Sequence, residues 1–133
     1  NPTAVKPNLQ ETERLLSRAL ISKSQFVDAA RRIQDMGAAS VILSLGARGA
    51  VAASGREMIE ALPPRVDVLC PIGSGDALAA AFVWSFSQGR SFADSVRWGV
   101  AAGTASAELP GIDFASLEQV RAMYKSVELR ALD

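Results

Sequence analysis

Residues 40–49 read Ser-Val-Ile-Leu-Ser-Leu-Gly-Ala-Arg-Gly, and this stretch decides the fold class. Its first part is a nearly continuous apolar run with β-branched side chains, which is typical of a strand covered on both faces of a parallel sheet. Gly46 and Gly49 then mark a turn directly after the strand. Because such a strand needs helices on both faces of its sheet, the stretch predicts an α/β layered fold with a mainly parallel sheet.

Two helices are predicted upstream of this strand. Asn8 and Glu11 have the spacing of a capping pair at a helix start, and that helix is expected to end near Ser22. The next helix carries apolar residues at helical spacing and ends at Gly37, since glycine suits the left-handed position after a helix. Before both helices, residues 3–5 are expected to form the end of a strand.

Downstream, the pattern predicts further short strands and then helices. Residues 50–53 and 58–62 have the form of a hairpin, and residues 66–69 are expected to make one more strand. Three helices are predicted after them. The first ends at Gly89, Ser91 caps the second, and the third contains Leu117. Small residues between 101 and 105 in the second of these helices predict close helix packing. Ligands of such a fold bind beyond the carboxyl ends of the strands.

The composition limits the chemistry. The 14 basic and 14 acidic residues balance, so we expect neither a nucleic acid nor a membrane as partner. The chain has no histidine and only one cysteine, Cys70, which excludes zinc clusters and catalytic pairs of Ser/His or Cys/His. No stretch approaches the roughly 18 apolar residues of a spanning helix, so we expect a cytoplasmic protein. The 133 residues are enough for one domain.

The sharpest candidate for chemistry is Gly73-Ser74-Gly75-Asp76, between a predicted strand and an apolar helix. Glycines let the backbone approach an anion, and free amides at a helix start can hold a phosphoryl group. A carboxylate at Asp76 could then accept the proton of an attacking hydroxyl. The tetrad alone leaves a structural interpretation open, in which the glycines make a tight turn and Asp76 complements the helix dipole.

Two familiar phosphate motifs can be excluded at this position. A P-loop requires Lys followed by Ser or Thr after its glycines. A dinucleotide fingerprint that starts at Gly73 requires Gly or Ala where Leu78 stands. An NAD-binding domain is therefore disfavoured.

Two other segments could line a nucleotide. Asn8 and Glu11 could face a magnesium nucleotide directly or through water, although the same spacing serves helix capping, which the pattern favours. Lys6 could reach a phosphate as a point charge, although an exposed lysine is usually solvated. The turn after the strand, residues 44–49, could border a nucleotide because its glycines keep side chains out of the way.

Taken in order, three segments resemble successive motifs of the PfkB (ribokinase-like) carbohydrate kinase family. They are Lys6-Pro7-Asn8-Leu9-Gln10-Glu11, Ser44-Leu45-Gly46-Ala47-Arg48-Gly49 and Gly73-Ser74-Gly75-Asp76-Ala77. The resemblance runs over essentially the whole chain. It implies a three-layer ribokinase-like (Rossmann-like) fold, of which residues 1–133 are the C-terminal, nucleotide-binding and catalytic portion.

The resemblance also implies roles for individual residues. Asp76 is expected to be the catalytic base, and Gly73, Ser74 and Gly75 are expected to form the anion hole. Glu11 is expected to serve the metal, and Lys6 a phosphate. The residues expected to bind the nucleotide are Asn8, Ser44, Leu45, Gly46, Ala47, Arg48, Gly49, Gly75, Val100 and Gly103. The implied cofactors are ATP and Mg²⁺.

The function implied is ATP-dependent phosphoryl transfer to a hydroxyl of a sugar or sugar phosphate. The segments Lys6-Pro7-Asn8 and Pro71-Ile72-Gly73-Ser74-Gly75-Asp76 are similar to the branch with 1-phosphofructokinase and tagatose-6-phosphate kinase, which favours a hexose phosphate. Cys70-Pro71-Ile72 departs from the Asp-Thr pair of many members, which argues against a ribokinase-like potassium site. The isolated chain is expected to be inactive and the complete protein to be a homodimer. The alternative is a nucleotide-binding or regulatory module that keeps the fold without catalysis.

Overall fold

The computed structural model describes residues 4–110 and 114–132. The strands of the described part are β1 (Ala4–Val5), β2 (Ser40–Ser44), β3 (Ala50–Ser54), β4 (Glu57–Leu62) and β5 (Glu128–Ala131). The helices are α1 (Leu9–Leu16), α2 (Lys23–Asp35), α3 (Ser74–Ser87), α4 (Phe92–Ala107) and α5 (Leu117–Tyr124). A short 3₁₀ turn, Gly46–Arg48, follows β2. Thr3, expected in the first strand, lies outside the described residues.

The strands form one sheet in the order β1-β2-β3-β4-β5. Only β1 and β2 are parallel, whereas the other three pairings of the described strands are antiparallel. The expectation of a mainly parallel sheet was therefore wrong for this part of the chain. The predicted hairpin between β3 and β4 is confirmed, and its tight turn at Gly55-Arg56 reverses the chain as antiparallel pairing requires.

Helices cover the sheet on both faces, as the layered fold predicts. Val41 and Leu43 of β2 point to a core shared with α2, whereas Ile42 between them points to a core shared with α3, α4 and α5. All three side chains are buried. Because alternate residues of β2 enter two cores, residues 41–43 are all apolar, and the whole strand is buried on both faces.

Helix α1 ends earlier than predicted. Its C-terminal residue is Leu16, and Ser17 takes a left-handed conformation with φ of 54°. The carboxylate of Glu13 then accepts a hydrogen bond from the backbone of Leu20 at 2.8 Å, which holds the chain in a loop. Leu20 lies in this loop and its side chain is buried in the core. Its apolar character therefore reflects core packing and not a longer helix.

The predicted strand at 66–69 is wrong. These residues have no strand structure, and the amides of Leu69 and Cys70 both donate to the carbonyl of Ala107 at the end of α4, at 2.9 and 3.1 Å. The helix end therefore takes the hydrogen bonds that a neighbouring strand would have taken. Conversely, β5 was not predicted, because it is a short and mostly exposed edge strand. Among the described helices, none combines the length and the apolar character that crossing a bilayer requires.

Candidate active site

The first two motifs meet at the carboxyl ends of the parallel strands β1 and β2. The amide of Ser44 donates to the carbonyl of Pro7 at 3.0 Å, and Asn8 and Ser44 form an isolated parallel bridge. Parallel pairing brings these strand ends to the same edge of the sheet. The sheet thus places residues 6–11 beside residues 44–49, although they are far apart in sequence.

Lys6 connects this edge to the start of helix α3. Its Nζ lies 3.5 Å from the point where a Cβ atom on Gly75 would stand. Gly73 caps the helix in a left-handed conformation with φ of 87°, which favours glycine. The ammonium of Lys6 and the positive end of the α3 dipole therefore lie together, an arrangement that attracts an anion.

The amides in the first turn of α3 differ in what they bind. The N–H and Oγ of Ser74 both donate to the carbonyl of Pro71, at 3.2 and 2.8 Å. The N–H of Ala77 donates to Gly73 at 2.9 Å. The N–H groups of Gly75 and Asp76 donate to none of the residues that the structure describes. Gly75 and Asp76 are thus the free donors at this helix start, and Ser74 holds the loop.

Asp76 lies in the first turn of α3 and its side chain is exposed. It stands at one end of a cleft of about 460 Å³ between α3, α4 and α5. The cleft is otherwise almost entirely apolar, lined by Ala77, Ala80, Ala81, Trp84, Trp98, Ala102, Ser106, Phe114, Ala115, Leu117 and Val120. The carboxylate is therefore open to a substrate, and it also complements the dipole of α3.

Asn8 and Glu11 form the capping box of α1. The amide of Glu11 donates to Oδ1 of Asn8 at 2.7 Å, and the amide of Asn8 donates to Oε1 of Glu11 at 2.9 Å. The capping interpretation is confirmed, while a role for either residue at a metal nucleotide stays a prediction. Within residues 4–110 and 114–132, no three His, Cys, Asp or Glu side chains are grouped so that they could hold a metal ion.

The turn after β2 combines an open side with a tightly packed one. Gly46 has no atom near its Cβ position, and Ala47 is exposed. At Gly49 a Cβ would stand 1.9 Å from the carbonyl oxygen of Ala61, so this glycine is required by packing against β4. The guanidinium of Arg48 lies over the ring of Phe26, 5.1 Å from its centroid. A nucleotide contact by Arg48 would have to compete with this stacking.

The two residues expected beside the nucleotide on α4 are both buried. Val100 belongs to the core beneath α3. Leu45, which was expected to bind the nucleotide from the turn after β2, is half-buried. At Gly103 a Cβ would stand 3.0 Å from the carbonyl oxygen of Ser74. Val100 and Gly103 therefore support the site from behind, and their contact with a nucleotide stays a prediction that this placement does not favour.

Sequence reasoning missed one aromatic side chain at the site. The ring of Phe114 lies 3.8 Å from the Cβ position of Gly73, is exposed and forms part of the cleft wall. The signal that could have found it is its position, an aromatic residue shortly before Leu117, where α5 begins. Only the folded chain places this ring beside Gly73.

Comparison with known proteins gives consistent matches. The family model described as pfkB family carbohydrate kinase matches residues 1–119. The chain is 34% identical over 108 residues to the 1-phosphofructokinase of Borreliella burgdorferi, an alignment that takes in 80% of this chain and 35% of that protein. The chain thus spans well under half the length of this relative.

Two solved structures superpose on nearly the whole chain. A candidate phosphofructokinase from Staphylococcus aureus matches with a TM-score of 0.92 and 32% identity, over 100% of this chain and 43% of that one. Arabidopsis thaliana ribokinase, solved with ribose and ATP, matches with a TM-score of 0.83 and 22% identity, over 94% of this chain and 44% of that one. The second likeness concerns the fold alone. Together they confirm the ribokinase-like α/β fold.

Proposed function

The chain belongs to the pfkB family of carbohydrate kinases, and on this premise we propose that it carries the catalytic base and the phosphoryl-binding helix of an ATP-dependent sugar kinase. The observation that carries the proposal is the meeting of Lys6 with the first turn of α3, 3.5 Å from the Cβ position of Gly75. This contact joins two motifs that are about seventy residues apart in the printed sequence. A cation, an exposed carboxylate and two amides without an acceptor in the described part of the chain then share one small region.

The residues present suit the triphosphate of ATP. Lys6 and the free amides of Gly75 and Asp76 would hold phosphate oxygens, since positive charge and unpaired N–H groups are what such oxygens bind. Bound ATP supplies the phosphoryl group to be transferred. Glu11 keeps one carboxylate oxygen outside its capping bond and would meet Mg²⁺ through water, because magnesium usually retains several waters.

Asp76 is the proposed base. Its carboxylate would take the proton as the acceptor hydroxyl forms its bond to phosphorus and the bond to the leaving phosphate oxygen breaks. The amides of Gly75 and Asp76 stay aimed at the region where negative charge is spread during transfer. Such fixed donors stabilise the transition state without reorganising, which is the main way in which proteins accelerate this chemistry.

The favoured acceptor is a hexose phosphate, as in 1-phosphofructokinase. The proposal is supported by the identity to the Borreliella burgdorferi protein of that name and by Pro71-Ile72-Gly73-Ser74-Gly75-Asp76. Because the chain spans 35% of that relative, we propose that the isolated chain lacks the acceptor site and is inactive.

Replacement of Asp76 by Asn in the complete enzyme tests the assignment. We expect kcat to fall by about a thousandfold, with little change in KM for ATP, because general-base catalysis is worth roughly 10² to 10⁴ and the amide remains a polar group. Asp28→Asn is the control, since Asp28 is an exposed carboxylate on α2, away from this region. Steady-state assays with ATP and a panel of sugars and sugar phosphates measure both.

The outcomes separate the two functions considered. Near-normal turnover of Asp76→Asn removes this residue as the base. Binding of magnesium ATP in calorimetry without transfer to any acceptor by the wild type would support the nucleotide-binding module instead.

A further inference from the structure

Helices α3 and α4 approach each other through two glycines that are one turn apart on α4, Gly99 and Gly103. A Cβ at Gly103 would stand 3.0 Å from the carbonyl oxygen of Ser74, and a Cβ at Gly99 would stand 3.0 Å from that of Leu78. Neither glycine has a positive φ, so limited space and not backbone conformation disfavours a side chain at both positions. The distances to the two carbonyl oxygens are the same, whereas a Cβ at Gly99 would also stand 3.3 and 3.4 Å from Cγ and Cδ2 of Leu78.

The contacts differ in what each carbonyl is attached to. The C=O of Ser74 and the N–H of Gly75 belong to one planar peptide unit, so moving the oxygen tilts the N–H. The N–H of Gly75 is one of two donors at the start of α3 that have no acceptor among the described residues. The carbonyl of Leu78 lies a full turn deeper in the helix. Only the contact at Gly103 therefore bears on the orientation of a free donor.

The first turn of α3 is held from a second direction as well. Both the N–H and the Oγ of Ser74 donate to Pro71. Residue Ser74 is thus tied to the preceding loop on one side and seated against α4 on the other. A methyl group at position 103 would push the Ser74 carbonyl by a few tenths of an ångström. Because these bonds hold Ser74, we expect the peptide between Ser74 and Gly75 to rotate.

We propose that Gly103 is a positioning residue for phosphoryl transfer, because its missing side chain lets the Ser74 carbonyl seat against α4 and so aims the Gly75 N–H at the transferred group. The inference rests on the proposed function. It assigns Gly103 a role different from the nucleotide contact expected from the sequence. A positioning role affects the transition state, where donor direction matters most, whereas a nucleotide contact affects ATP binding in the ground state.

The test compares Gly103→Ala with Gly99→Ala in the complete enzyme. Gly103→Ala is expected to lower kcat about tenfold while KM for ATP changes less than about twofold, since a displacement of 1 Å can cost roughly 100-fold and a few tenths of an ångström are needed here. Gly99→Ala is expected to keep kcat within about twofold of wild type, because its carbonyl partner is remote from the free amides. Thermal unfolding is measured for both, and kinetics are run where both are folded.

The possible results separate a positioning role of Gly103 from the alternatives. Equal kcat for the two variants overturns the inference, and so does a rise in KM for ATP at unchanged kcat, which would make Gly103 a nucleotide contact. Loss of folding in Gly103→Ala but not in Gly99→Ala also overturns the inference, since position 99 is the more crowded of the two. These failures are distinct from failure of the proposed function, which shows as a wild type without transfer or as an Asp76→Asn variant with normal turnover.

Discussion

Ser85 is fully buried in α3, and its hydroxyl forms no hydrogen bond with any residue that the structure describes. Ser95 on α4 is equally buried, but its hydroxyl donates to the carbonyl of Ser91 at 2.8 Å. A buried hydroxyl without a partner costs free energy of folding, whereas a paired one repays its loss of water. The two serines therefore form a matched pair for a stability test.

Ser85→Ala is expected to raise the free energy of unfolding by about 1 kcal/mol, because it removes an unpaired hydroxyl and alanine favours helix. Ser95→Ala is expected to lower it by roughly 0.5 kcal/mol, since the hydrogen bond that it removes is worth more than the gain in helix propensity. Urea unfolding followed by circular dichroism measures both. Destabilisation by Ser85→Ala would mean that its hydroxyl has a partner in solution.

For single residues, the sequence indicated which segments form the candidate site better than it indicated what each side chain does there. The Asn8 and Glu11 pair is a capping box, as the spacing favoured. The exposure of Asp76 and the nearness of Lys6 to Gly75 could not be read from sequence, because they depend on how the folded chain places Lys6 beside the start of α3. Phe114 was missed for the same reason, since only tertiary packing places its ring beside Gly73.

Tyr124 joins α5 to α4. Its hydroxyl donates to the carboxylate of Asp94, its ring stacks on Trp98 with centroids 4.3 Å apart, and the guanidinium of Arg97 lies over it. Burial, followed by the hydrogen bond to Asp94 and the negative charge of that residue, raises the pKa of Tyr124 above its ordinary value. The folded state therefore holds the phenolic proton more tightly than the unfolded state does.

The direction of this pKa shift predicts a pH dependence. The stabilisation from Tyr124 is complete below its ordinary pKa of about 10 and is lost as pH rises through the raised value in the folded state. The difference in unfolding free energy between wild type and Tyr124→Phe should thus shrink as pH rises above about 10. Urea unfolding of both proteins across pH 8 to 11.5, roughly the window around that pKa, measures it. A difference that stays constant or widens with pH contradicts the assignment.

The elements also explain which parts of the fold were predictable. Helices α2, α3 and α4 have caps and apolar spacing of their own, and their predicted positions hold. Strand direction was not predictable from residues 40–45, because a strand buried on both faces is apolar whether its neighbours are parallel or antiparallel. Strand β5 depends on partners elsewhere in the chain. One of them is Glu60, buried on β4 and in salt bridges with Lys23 at 2.9 Å and with Arg130 of β5 at 3.9 Å.

Across the surface of the molecule, helix α3 exposes apolar side chains to solvent. Val83, Trp84 and Phe86 are exposed, and Val83 shares the helix face of Asp76 at i, i+7 spacing. The sheet has a two-residue edge strand, β1, which pairs only with β2 among the described strands. Apolar patches and unpaired strand edges both promote association between copies of a chain.

The chain of residues 1–133 alone is therefore expected to self-associate as its concentration rises. Size-exclusion chromatography with light scattering should give an average mass that rises with concentration.

Val83→Glu should move that mass toward the monomer, because glutamate is a good helix former that charges the exposed face of α3. Ile21→Glu is the control, since Ile21 is also exposed but stands in the loop before α2. If Val83→Glu leaves the association unchanged, the edge of β1 becomes the contact to test. A monomeric mass at every concentration would mean that neither the apolar face of α3 nor the β1 edge is enough to hold two copies together.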